Sequence, residues 1–143
     1  MIFLVQRMKT LLVFLYFVTV VNGLRLGGIQ SVPLADDDER IRTAINEGMH
    51  MLNQDRGASR AFLAVEIVEI NQQVVSGIKY DVTLRIAPSN CQFDNENKLS
   101  SYFVNESCMA DPEEEELYQM TVWARPWMED QPYLLMAAAP AAP

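Results

Sequence analysis

QQVVSGIKYDVTLRI, residues 72–86, joins an uncharged run to an alternating one. In its second half Ile78, Tyr80, Val82, Leu84 and Ile86 are apolar, while Lys79, Asp81, Thr83 and Arg85 are polar. That period of two marks a strand with one face on a core and one in water. Upstream, RAFLAVEIVEI (60–70) is rich in β-branched and apolar residues, and Glu66 and Glu69 have opposite parity, which predicts a bulge or a bend between them. The two runs make an antiparallel hairpin, with Gly77 as its turn former. The turn is unusual because Val74 and Val75 stand where polar residues are the rule, and exposed apolar groups on a turn point to a contact surface.

Outward from this hairpin, Ile41, Ala44, Ile45, Gly48, Met49 and Leu52 recur at helical spacing, with Arg42, Thr43, Asn46, Glu47 and His50 on the other face. One apolar stripe predicts a helix packed on one layer. Asp36 with Glu39 reads as its N-terminal cap, Asp37 and Asp38 suit the positive end of the helix dipole, and Gly57 in NQDRGAS reads as its stop. The preceding LRLGGIQSVPLADDDER reads as a mobile arm that could add a sheet edge. Downstream, Pro88 to Glu116 is a polar excursion, LYQMTVWA alternates as a strand, RPWMEDQP turns, and YLLM (133–136) is a last short strand. Residues 137–143, AAAPAAP, are expected to be disordered. Helix plus strands joined by turns gives an α+β fold, an antiparallel sheet laid over one helix.

Residues 1–23 read as a secretory signal peptide: Arg7 and Lys9 precede the apolar run Leu11–Val21, with Val21-Asn22-Gly23 at the cleavage position. A membrane anchor is the alternative, but that run is short of the roughly 20 residues a spanning helix needs. The expectation is a secreted, extracellular protein of one domain over residues 24–136. The whole chain of 143 residues carries a net charge of −8; the leader holds two of the eleven basic residues and none of the nineteen acids, so the remainder stands at −10. That balance disfavours nucleic acid and anionic membranes as partners. Cys91 and Cys108 are the two cysteines, most simply one disulfide, which would contribute about 3 kcal/mol by restricting the unfolded chain. Asn105-Glu106-Ser107 is an N-glycosylation sequon.

Catalysis finds little support. His50 is the sole histidine and reads as a solvated residue of the helix, both thiols are committed, and no nucleophile elbow is present. The acidic runs Asp36–Asp38 and Glu113–Glu116 read as solvated faces rather than acid-base pairs, and neither has the spacing of a calcium loop. No metal and no cofactor is expected.

Gln73-Val74-Val75-Ser76-Gly77 resembles the Gln-x-Val-x-Gly hairpin of the cystatins. Gly27-Gly28 lies where that family has its N-terminal glycine, and Pro126-Trp127 resembles its second hairpin; LGG, QQVVSGIKYDV and MTVWARPW look most like the secreted type 2 cystatins of nematodes, of the onchocystatin type. The resemblance covers about residues 26–136. It implies one long helix wrapped by an antiparallel sheet of four to five strands. It also implies reversible, competitive inhibition of papain-like cysteine proteases, including cathepsins L, S and B. In that reading Gly27 or Gly28 lets Leu24–Leu26 lie along the non-primed subsites, Val74, Val75 and Ser76 enter the cleft beside the catalytic cysteine, and Trp127 rests on the primed side. Two departures stand out. A second cysteine pair found in many secreted members is missing, with Tyr118 near one expected position, so the last hairpin is not stapled. The Ser-Asn-Asp segment by which some members inhibit legumain is replaced by Arg56-Gly57-Ala58, which speaks against legumain despite Asn53 nearby. A binding or immunomodulatory protein of the same fold without inhibition is the other reading. The oligomeric expectation is a monomer with a domain-swapped dimer as its alternative, because the turn valines fit a continuous strand.

Overall fold

The computed structural model describes residues 28–33 and 38–142; the signal-peptide reading, Leu24–Leu26, Gly27, Asp36 and Asp37 lie outside them. Helix α1 spans Glu39–Arg56. Its cap is Asp38, not Asp36: Asp38 is extended (φ −75°, ψ 112°) and its carboxylate accepts the Arg40 backbone N–H at 2.9 Å. Of three consecutive aspartates the cap is the one adjoining the first helical residue, where its oxygen reaches an unpaired N–H. At the other end Gly57 takes the left-handed conformation (φ 59°) and donates to the Gln54 carbonyl.

The sheet has five antiparallel strands in chain order: β1 (Gln30–Ser31), β2 (Arg60–Val75), β3 (Gly77–Gln92), β4 (Glu116–Ala124) and β5 (Tyr133–Pro140). The arm thus adds its edge as β1. Register shifts between Ala64 and Glu66 and between Ile67 and Glu69 are the expected bulge and a second one, and they bend the hairpin so that the sheet curves around α1. The core lies between them: Ile45, Met49 and Leu52 of α1 meet Leu63, Val82, Leu84, Ile86, Met120 and Val122, all fully or nearly fully buried. Gly48 permits this approach, since a Cβ there would lie 2.6 Å from Val122 Cγ2.

Three expectations are corrected. Residues 137–140 are not disordered: β5 continues through Pro140, pairing Ala137–Pro140 with Thr121–Tyr118, because a ladder is made by main-chain groups that alanine supplies as well as valine. The polar excursion begins after Gln92, not at Pro88, with Ser89 buried and its hydroxyl donating to the Ala61 carbonyl at 2.7 Å. And His50 is not a solvated histidine. Its Nδ1 is 2.7 Å from the hydroxyl of Tyr102, a fully buried excursion residue, and its ring packs against Tyr102 and Phe93 at centroid distances of 5.6 and 5.9 Å. Asn46 accepts the Tyr102 N–H at 2.6 Å and Glu47 pairs with Lys98. The polar face of α1 is therefore a docking strip, and the helix is packed on two sides. Burial, with Lys98 adding to it, lowers the His50 pKa below the ordinary histidine value. The Cys91–Cys108 disulfide forms, with Cα atoms 5.5 Å apart, and staples this excursion.

Candidate functional site

The uncharged stretch Gln72–Ile78 is the tip of the β2–β3 hairpin. Both strands run nearly to the apex, pairing Gln73 with Lys79 and Val74 with Ile78 and leaving Ser76 between the strand ends. Val74 is 63 % and Val75 43 % exposed, so neither belongs to the core.

The other two sequence candidates converge on this tip. Pairing of β1 with β2 sets Gln30 opposite Gln72, so the chain that includes the exposed Gly28 joins the sheet toward the hairpin end of β2. From the opposite side comes the β4–β5 connection, residues 125–132, closed by the Arg125 N–H donating to the Pro132 carbonyl at 2.6 Å and by the Met128 N–H donating to Arg125 at 2.9 Å. It holds Pro126 and Trp127, whose ring is half exposed. The hairpins meet at Gly77: its φ is 84°, and a Cβ there would lie 2.2 Å from the Ala124 carbonyl oxygen and 3.0 Å from Trp127 Cη2. Only glycine supplies both that dihedral and that clearance. The structure thus brings Gly28, Gln73–Gly77, Pro126 and Trp127 to one edge, while Gly27 lies outside the described residues.

Sequence reading missed Trp123 and Arg125. Trp123 is on the outward face at the end of β4; its indole Nε1–H donates to the Ser76 carbonyl at 2.7 Å, and its ring makes an edge contact with Trp127 (6.4 Å, 71°). The Arg125 guanidinium lies 5.2 Å over the Trp123 ring and donates to the Gln131 carbonyl. A tryptophan at an outward position of a strand end, four residues before another on a turn, was the available signal.

This edge offers surface rather than chemistry. Behind it, on the helix side, a cavity of about 250 Å³ is lined by Arg40, Ile78, Tyr80, Arg125, Pro126 and Tyr133. His50 is ten residues past Arg40, about 15 Å along the helix axis, so it cannot serve as a base for Ser76. The cysteines are joined in the excursion at the far end of the 16-residue strands. Among the described residues no group of three His, Cys, Asp or Glu side chains is placed to hold a metal ion.

Such a sheet-wrapped helix with two hairpins on one edge defines a class, and comparison with known proteins agrees. The Cystatin domain family matches residues 27–127. Cystatin-C of Paralichthys olivaceus is 38 % identical over 80 residues, covering 52 % of this chain and 58 % of the relative; Cystatin cpi-1 of Brugia malayi is 27 % identical over 93 residues, covering 64 % and 69 %. The crystal structure of dimeric human cystatin F superposes with a TM-score of 0.62 at 17 % identity, over 81 % of this chain and 87 % of that one, a likeness of fold. The chain belongs to the cystatin family, a family of cysteine-protease inhibitors. It spans somewhat over half the length of the first of these relatives.

Proposed function

We propose that this chain is a secreted, reversible, competitive and tight-binding inhibitor of papain-like cysteine proteases of the cathepsin L, S and B type. The observation that carries this reading is the convergence of Gly28, Val74–Gly77 and Trp127 on one edge. A partner cleft receives them together: the leader before Gly28 along the non-primed subsites, Val74, Val75 and Ser76 beside the catalytic thiol, Pro126 and Trp127 on the primed side. Inhibition follows because the wedge fills the cleft with hairpin backbone and side chains and offers no peptide carbonyl in the geometry for attack, so the proximity on which hydrolysis depends is never reached. Both hairpins are ordered before docking, which limits the entropy lost on binding. A standard interface of about 1,600 Å² in total accommodates three such segments.

Legumain is left out of the proposal. Asn53 is fully buried, donates to the carbonyls of Met49 and Phe62 and accepts the Phe62 N–H, so it has no free end to offer a specificity pocket. The inhibiting form is the monomer, since a domain swap through Val74–Gly77 would straighten the wedge into a strand. Titration of active-site-quantified papain with protein starting at Leu24 tests the proposal. Stoichiometric loss of activity, reversed by competing substrate, is expected; full activity at micromolar inhibitor overturns it and favours a binding protein of this fold.

A further inference from the structure

The β2–β3 tip overhangs the sheet. Among the described residues the β1–β2 ladder stops at Gln72 and the β3–β4 ladder stops at Ile78 opposite Ala124, so the ladder pairing of Val74–Gly77 lies within their own ribbon. A two-stranded ribbon without a third strand is marginally ordered by itself. The disulfide is in the excursion at the opposite end, so no disulfide ties the two hairpins together at this edge.

One side chain bridges them. Trp123 lies opposite Lys79, three residues short of the apex, and its indole reaches along the outward face to donate to the apical Ser76 carbonyl at 2.7 Å, at the short end of the N–H···O range. Its other edge touches the Trp127 ring, and Arg125 covers its face. Ser76 belongs to the first hairpin and Trp127 to the second, so one rigid ring fixes the distance between them. Gly77 completes the joint by leaving room for Trp127.

We propose that Trp123 is a positioning residue of the binding edge: it clamps the overhanging tip of the first hairpin to the second and holds both in the mutual geometry that a single groove accepts. Its role in inhibition rests on the function proposed above; the clamp itself does not. Loss of one neutral hydrogen bond is worth roughly a three- to tenfold change in an equilibrium constant.

Two measurements separate the cases. In the first, hydrogen exchange of the two indole N–H groups is followed by NMR in the free protein. The Trp123 indole is expected to exchange at least about tenfold more slowly than that of the half-exposed Trp127, and Trp123→Phe is expected to speed exchange of the Gly77 amide while amides of β3 from Val82 to Ile86 keep their rates. Equal exchange of the two indoles, or an unchanged Gly77 amide in the variant, overturns the clamp. In the second, Trp123→Phe is expected to raise the inhibition constant for papain three- to tenfold, through faster dissociation, with the thermal midpoint shifted by less than about 3 °C. An unchanged dissociation rate overturns the positioning role, as does a loss of affinity that only tracks a large fall in the midpoint. Failure of the wild-type protein to inhibit papain would refute the functional reading, and the exchange experiment would still decide the clamp.

Discussion

Gly77→Ala is the sharpest perturbation of the joint between the hairpins. Alanine at φ 84° is strained by roughly 1–2 kcal/mol from the dihedral alone. Its Cβ would also lie 2.2 Å from the Ala124 carbonyl oxygen, a backbone atom that cannot rotate away, and 3.0 Å from Trp127. The least costly relief parts the end of the β3–β4 ladder at Ile78 and Ala124, losing about 1 kcal/mol for one hydrogen bond, and pushes Trp127 outward. The total is about 2–4 kcal/mol, or roughly 8–15 °C in thermal midpoint for a domain of this size. A cleft that needs the original geometry must restore it on docking, so affinity for papain falls by up to the same amount, roughly 30- to 1,000-fold. Gly57→Ala is the control: φ is again positive, at 59°, but a Cβ meets nothing within 4 Å, so it costs about 1 kcal/mol and leaves inhibition unchanged. Thermal unfolding and papain titration of the three proteins test the reasoning. A Gly77→Ala protein that melts within 2 °C of wild type and inhibits equally well, with the 2 °C set at roughly half of one kcal/mol, would refute it.

Trp127→Ala should weaken papain binding by about 2 kcal/mol or more with a smaller effect on the melting temperature, because the exposed half of the ring is left for the partner to cover; equal inhibition constants remove Trp127 from the contact. For His50, burial lowers the folded pKa below that of the free residue, so the folded state binds fewer protons than the unfolded one. Its contribution to stability is complete above pH 6.5 and drains away as the pH falls from there through the lower folded value. Urea midpoints of wild type and His50→Gln should therefore lie closer together at pH 5 than at pH 7.5, and a constant gap disproves the linkage. Asn105 is exposed, and its Oδ1 accepts the backbone N–H groups of Ser107 and Cys108, so Ser107→Ala removes the sequon without touching the turn. Expression through a eukaryotic secretory route should give a glycosidase-sensitive mass increment in wild type and none in Ser107→Ala, with inhibition equal in both; a wild-type protein secreted at its bare polypeptide mass refutes this.

Local patterns carried much of this architecture. The alternation from Ile78 to Ile86, the stripe from Ile41 to Leu52, the Gly57 stop and the bulge between Glu66 and Glu69 all follow from which face of a local element each side chain occupies. What escaped were interactions whose partners are distant or carry no side-chain signature. Ala137–Pro140 pair through main-chain groups, which leave no mark on hydropathy. His50 meets Tyr102 across 52 residues, and no helical period records that the polar face has a neighbour. Trp123 alternates correctly as an outward strand residue, and its bond to Ser76 appears only when β3 and β4 are laid side by side. Within the edge, therefore, the residues proposed to meet a partner were legible, and the one proposed to hold them in place was not.

The exposed valines of the tip explain why rigidity matters there. Leaving Val74 and Val75 in water forgoes part of the roughly 1.5–3 kcal/mol that burying each would give, a loss that only a docked partner returns. An apolar tip free to move would find other cover, by collapsing onto the sheet or by straightening into a strand shared with a second copy. The tip itself carries no acid: Gln72–Ile78 contain none, Glu129 and Asp130 belong to the second hairpin, and the run Asp111–Glu116 is at the other end, with Arg56 paired to Glu116 and Arg60 to Glu114. The charges of that distant run are screened beyond about 8 Å at physiological salt. What keeps the valines outward is the geometry at their base: the positive φ of Gly77, the packing of Trp127 against it and the Trp123 bond to Ser76. Each opposes straightening as well as collapse, because both require the Ser76 carbonyl to leave the indole. The contacts that hold the edge ready for a groove are thus the same ones that oppose its alternatives.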